Sequence, residues 1–163
     1  ALGKLKNSRA VDSLIAKLKD TNEDVEVRSW AAIALGDIKD KRAIGTLLLT
    51  LKDNDPRVRR YSAQALGKMK DNIAIKPLVE TLKDKNILVS GTAASSLIRM
   101  GEQAAEVLRT LFQDLDQETK SRVTSILNEI KEPRAVKLRG EKGKRLLEAL
   151  EALEERSRHN HKV

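Results

Sequence analysis

The chain lacks cysteine entirely. A disulfide framework, a Cys-based zinc site and a thiol nucleophile are therefore excluded. Its two histidines, His159 and His161, fall within the last five residues. The body of the chain thus has no imidazole for acid–base or metal work. Aromatic residues are one Trp, one Tyr and one Phe in 163 residues, too few for a base-stacking surface. No run of about 18 apolar residues exists, so no transmembrane helix is expected. No basic, apolar, small-residue signal opens the given sequence. These features fit a reducing, cytoplasmic setting and no contact with a membrane.

Charged side chains make up 34% of the residues, with 32 Lys and Arg against 24 Asp and Glu, a net +8. The length suits one domain with a sizeable core. The most informative feature is an internal repeat. Ala1-Leu2-Gly3-Lys4-Leu5-Lys6 returns as Ala34-Leu35-Gly36-Asp37-Ile38-Lys39 and as Ala65-Leu66-Gly67-Lys68-Met69-Lys70. Weaker copies surround Leu97 and Leu127. The spacings from Leu2 through Leu35, Leu66, Leu97 and Leu127 are 33, 31, 31 and 30 residues.

Each repeat reads as two helices. In residues 55–84, Asp55 is an N-cap and Pro56 takes the first helical position. Val58, Tyr61, Ser62, Ala65, Leu66 and Met69 then form one helical stripe. Asp71 marks a turn, in a column with Asn7, Asp40, Glu102 and Glu132. Ile75, Leu78, Val79 and Leu82 form the second stripe, with Pro77 tolerable only near its start. One such pair cannot bury its apolar faces alone, but stacked pairs can. The expected fold is an all-α, right-handed α-solenoid of about five hairpins with a C-terminal capping helix. Alanines in the first helices let neighbours approach closely.

The pattern Asp24, Val27-Arg28, Ala34-Leu35-Gly36, Ile38, Asp40, Ala43-Ile44, Leu47, Leu51-Lys52-Asp53 resembles the HEAT-like repeat of the phycobilisome lyases. So does Asp55, Val58-Arg59, Ala65-Leu66-Gly67, Met69, Asp71, Ala74-Ile75, Leu78, Leu82-Lys83-Asp84. The resemblance covers residues 1 to about 136. It implies the solenoid fold and says less about function. Asn86 and Ser90 replace the Asp and Arg together in the next unit. This joint loss points to an Asp–Arg pair, at i,i+4 or across neighbours. HEAT-repeat hydroxylases use His-Glu dipeptides, of which this chain has none. Nothing in the sequence marks a bilin pocket of the lyase kind. The lone Trp does not reproduce the basic, Trp-bearing face of HEAT-like glycosylases.

The boundaries expected are a repeat solenoid over 1–136, a basic loop over 137–145, a capping helix over 146–156 and a polar tail over 157–163. Residue 1 aligns mid-helix with Ala34, so the first unit is expected to be incomplete, with earlier residues missing from it. The loop gathers Lys137, Arg139, Lys142, Lys144 and Arg145, which could contact nucleic-acid phosphates; a solvated loop is the plainer reading. Trp30 and Tyr61 occupy one column, continued by Thr92 and Arg122. They read as packing residues between units, or else as exposed binding anchors. Leu49, Glu80 and Thr110, with Ala16, fill a column expected on the concave face, where solenoids take partners. No catalytic residue, metal ligand or cofactor is assigned. The function expected is a non-enzymatic scaffold for a protein partner. The alternatives are a nucleic-acid contact through the loop and a phycobilin lyase-like subunit.

Overall fold

The structure, a computed structural model, describes residues 2–131, with side chains from residue 9 onward. The chain divides into two units, Ala1–Leu127 and Asn128–Val163. The basic segment 137–145, the helix expected over 146–156 and the tail 157–163 lie outside the described residues. Among the described residues there are eight α-helices and no strand. They are α1 (Leu2–Lys19), α2 (Val25–Ile38), α3 (Ile44–Thr50), α4 (Pro56–Met69), α5 (Ile75–Thr81), α6 (Ile87–Met100), α7 (Glu102–Leu111) and α8 (Gln117–Lys131). The fold is an all-α solenoid of helical hairpins.

Side-chain caps set the helix boundaries. Asp24, Asp55 and Asn86 accept backbone N–H bonds from Glu26, Arg57 and Leu88 at 2.7–3.0 Å and so start α2, α4 and α6. Pro56 occupies the first turn of α4, as expected. Lys39 and Lys70 end α2 and α4 in the left-handed region, at φ 58° and 54°. Their N–H groups return to the Leu35 and Leu66 carbonyls at 3.0 and 3.1 Å. Asp40 and Asp71 then cap a single 3-10 turn that leads into α3 and α5. The turn expected at Asn7 does not form, since α1 runs unbroken from Leu2 to Lys19. Continuing the helix through Asn7 keeps backbone bonds that a break would lose. At the equivalent of Asp71, Glu102 begins α7 without capping it.

The first helices stack on one another, α2 on α4 and α4 on α6, with α3 and α5 behind them. Leu35, Leu66 and Leu97 are fully buried in one column, and Ile75, Leu78, Val79 and Leu82 line the second-helix core. The stack is close because its contact positions are small. A Cβ on Gly36 would lie 2.7 Å from the Cα and Cβ of Ala65, and one on Gly67 would lie 2.5 Å from Ser96. Ser96 donates to the Ala63 carbonyl at 2.9 Å, so its hydroxyl is satisfied inside the contact. Thr50 and Ser62 hydroxyls meet at 2.7 Å in the same way.

Two arginines, Arg28 buried and Arg59 half-buried, close the hairpins. Arg28 pairs with Asp53. Arg59 grips Asp84 through two bonds of 2.7 and 3.0 Å, and both side chains are only 12% exposed. The same Arg59 donates to the carbonyls of Asp53 and Asn54 at 2.8 and 3.0 Å, tying its unit to the one before. The partner is therefore neither the i−4 aspartate nor a neighbour's side chain. Asp24 and Asp55 are occupied as caps, and each arginine instead spans 25 residues to the aspartate that ends its own unit. Ser90, in the arginine column of α6, has no such partner. Lys120 continues that column over the Phe112 ring, while Asp116 caps α8 and pairs with Lys83 at 2.5 Å.

Three outcomes follow from this packing. Gly36→Ala should lower the unfolding free energy by about 2 kcal/mol through overpacking, although Ala is the better helix former. Gly45→Ala, where a Cβ meets nothing within 4 Å, should raise it by about 0.5 kcal/mol; urea melts of the two variants test the contrast. Arg59→Met should cost about 2 kcal/mol, because it strands a half-buried carboxylate that keeps only its bond from the Asn86 N–H. A cycle with Asp84→Asn should be strongly non-additive. The hydrogen bonds from Arg59 hold Asp84 below the ordinary carboxylate range, and those from Arg57 do the same for Asp55. A lowered folded-state pKa adds stability that is complete above the unfolded value and lost as pH falls through the folded one. The thermal midpoint should hold above about pH 5 and drop below about pH 4, with a smaller drop in Asp84→Asn.

Candidate partner-binding surface

The close stack decides which first-helix residues reach solvent. In α2 the contact positions are Ser29, Ala31, Ala32, Leu35 and Gly36, all buried. Helices that approach so closely leave no room for an indole between them. Trp30 is accordingly turned outward and is 68% exposed, which overturns the reading of Trp30 as a packing residue. An indole of roughly 250 Å² exposed to that degree leaves roughly 4 kcal/mol of burial unrealised. Tyr61, one unit on, is half-buried. The Arg60 guanidinium lies 4.5 Å from its ring centroid and donates to its hydroxyl at 2.5 Å. Farther along the column, Thr92 donates to the Leu88 carbonyl at 2.7 Å. Arg122 turns in to the Leu82 carbonyl and to Glu118, at 2.5 and 2.8 Å.

Two residues on this face were not singled out from the sequence. Ile87 and Leu88, at the start of α6, are 82% and 58% exposed. The buried stripe of α6 runs through Val89, Ala93, Leu97 and Met100 and leaves them off it. A column comparison carries the signal: Leu88 stands where sister helices have Glu26 and Arg57. Beside them, a groove of about 500 Å³ runs between α4 and α6, edged by Arg60 and Arg99.

The second-helix column is also in solvent. Leu49 is 69% exposed, and Ala16, Glu80 and Thr110 are exposed with it. Leu47 is buried and Leu48 half-buried, so the surplus apolar residue of that triplet is Leu49. The column is otherwise polar, and Thr110 bonds to the Val107 carbonyl of its own helix at 2.7 Å. The structure thus places Trp30 and Tyr61 on the first helices and Leu49, Glu80 and Thr110 on the second, in two separate columns. Lys137, Arg139, Lys142, Lys144 and Arg145 lie outside the described residues. Among the described residues no cluster of three or more His, Asp or Glu is placed to hold a metal ion. No helix among them is long and apolar enough to cross a membrane.

No curated protein sequence matches the chain. Among solved structures, human deoxyhypusine hydroxylase in complex with glycerol superposes with a TM-score of 0.63 at 23% identity, over 80% of this chain and 46% of that one. At that identity the likeness is one of fold. The complex of CpcE and CpcF of phycocyanin lyase from Nostoc sp. PCC7120 superposes with a TM-score of 0.54 at 29% identity, over 66% of this chain and 42% of that one. The chain therefore spans under half the length of either. The resemblance to the phycobilisome-lyase type of repeat holds at this level. The family model for HEAT repeats matches residues 1–48, 11–98 and 46–128, so the chain belongs to the HEAT-repeat family.

Proposed function

We propose that the chain is a protein-binding scaffold. The observation that carries this reading is the outward Trp30. One of only three aromatic side chains stands in solvent on a helix whose packing is complete without it. Tryptophan, tyrosine and arginine dominate the energetics of protein interfaces, and Trp30, Tyr61 and Arg60 lie on successive first helices. Leu49 offers a second, smaller apolar contact on the second helices. The likeness to a two-protein complex, CpcE with CpcF, is in keeping with a protein partner. It also supports a second reading, a lyase-type subunit acting with a chromophore-binding protein.

The test is affinity capture from the native extract by the whole protein, with and without RNase and DNase. One stoichiometric protein that survives nuclease is the expected result, and Trp30→Ala should weaken its retention at least tenfold. A captured protein with a visible bilin absorption band would favour the lyase-type reading. Loss of all captured material on nuclease treatment would overturn the scaffold in favour of the basic segment 137–145.

A further inference from the structure

The groove between α4 and α6 is unlike the rest of the surface in its charge. Helix α4 carries Arg57, Arg59, Arg60 and Lys68 and no carboxylate, and α6 carries Arg99 and no carboxylate. Asp55, Asp84 and Asp37 occupy Arg57, Arg59 and Lys68 respectively. Arg60 and Arg99 are different. Arg60 is stacked on Tyr61, and among the described residues neither it nor Arg99 forms an ion pair. Both line the groove, with the exposed Ile87 and Leu88 in the first turn of α6 and Arg99 in its last.

The floor of the groove is small. A Cβ on Gly91 would meet nothing within 4 Å. This glycine is therefore not one that the close stack requires, unlike Gly36 and Gly67. In mid-helix it costs stability relative to Ala, and what it leaves is open space in which another backbone could lie. Thr92 and Ser95 bond back to the carbonyls of Leu88 and Gly91, at 2.7 and 3.0 Å. From Ile87 to Arg99 the helix rises about 18 Å, the length of about three helical turns.

We infer that the α4–α6 groove is a docking site for an acidic amphipathic helix of a partner protein. Its apolar residues would cover Ile87 and Leu88, and its carboxylates would meet Arg60 and Arg99. The complementarity is one of charge: two cations without carboxylate partners share a groove with two exposed apolar side chains. The assignment rests on the scaffold reading and names the partner's chemistry.

The probe is a fluorescein-labelled helical peptide of Glu and Leu, with Leu at i, i+3, i+4 and i+7, followed by anisotropy with the full chain. Its controls are a scrambled peptide of the same composition, a Lys/Leu twin and a single-stranded RNA. The wild-type chain should bind the Glu/Leu helix at least tenfold more tightly than any control, and less tightly as salt rises. Gly91→Glu, which fills the floor and adds a negative charge, should weaken binding at least tenfold. Arg60→Glu with Arg99→Glu should do the same. Gly45→Glu, at an exposed glycine on α3 where a Cβ is equally free, should leave it unchanged, with circular dichroism reporting the fold of each variant. Equal binding of the scrambled peptide, tighter binding of RNA, or no effect of Gly91→Glu would overturn the assignment. If Trp30→Ala still abolishes capture of the native partner while Gly91→Glu does not, the scaffold stands and the groove assignment alone fails.

Discussion

The distance between neighbouring first helices is the constraint on which the remainder depends. At Gly36 and Gly67 that distance is too short for a single extra carbon. Small side chains therefore crowd the contact, Ala63, Ala65 and Ala93 among them, and the hydroxyls of Ser62 and Ser96 are satisfied inside it. A core built this way needs few aromatics, because closeness of approach replaces side-chain volume as the source of dispersion contact. The leucine column behind it supplies the burial, and the short second helices supply the other wall.

That closeness also explains the electrostatics. Hairpin ends that come so near must satisfy their backbone groups locally. Asp53 and Asp84 do so twice over, accepting an N–H two residues ahead and holding the guanidinium of Arg28 or Arg59. The clamp is costly to half-dismantle, since either partner left alone is a charge in a poorly solvated place. Where α6 has Ser90 in place of arginine, the clamp is absent and apolar packing of Val89, Ala93 and Leu97 holds the unit.

The outer face is what the close stack leaves over. Trp30, Ile87 and Leu88 have no place inside contacts built for alanine and glycine and stand in solvent, while Tyr61 is half-buried. Arg60 and Arg99 line the groove beside Ile87 and Leu88, while Asp55, Asp84 and Asp37 pair with Arg57, Arg59 and Lys68.

The repeat, its hairpins, the Asp55 cap, Pro56 and the second-helix stripe were all legible in the sequence, because each is a local preference read at fixed spacing. The joint loss of Asp and Arg at Asn86 and Ser90 was legible as a coupling, but the partner was not: sequence neighbours suggested Asp24 and Asp55, whereas the hairpin brings Asp53 and Asp84 to the arginines. Asn7 has the form of a turn residue by its column, yet α1 runs through it from Leu2 to Lys19. Trp30 lay on an apolar column, and only the interhelical distance decided that the column faces outward there. Periodicity is set by the geometry of one helix, so the sequence by itself determined the repeat and its stripes. Exposure and ion pairing depend on how far apart two helices finally lie, and only the tertiary structure decided that.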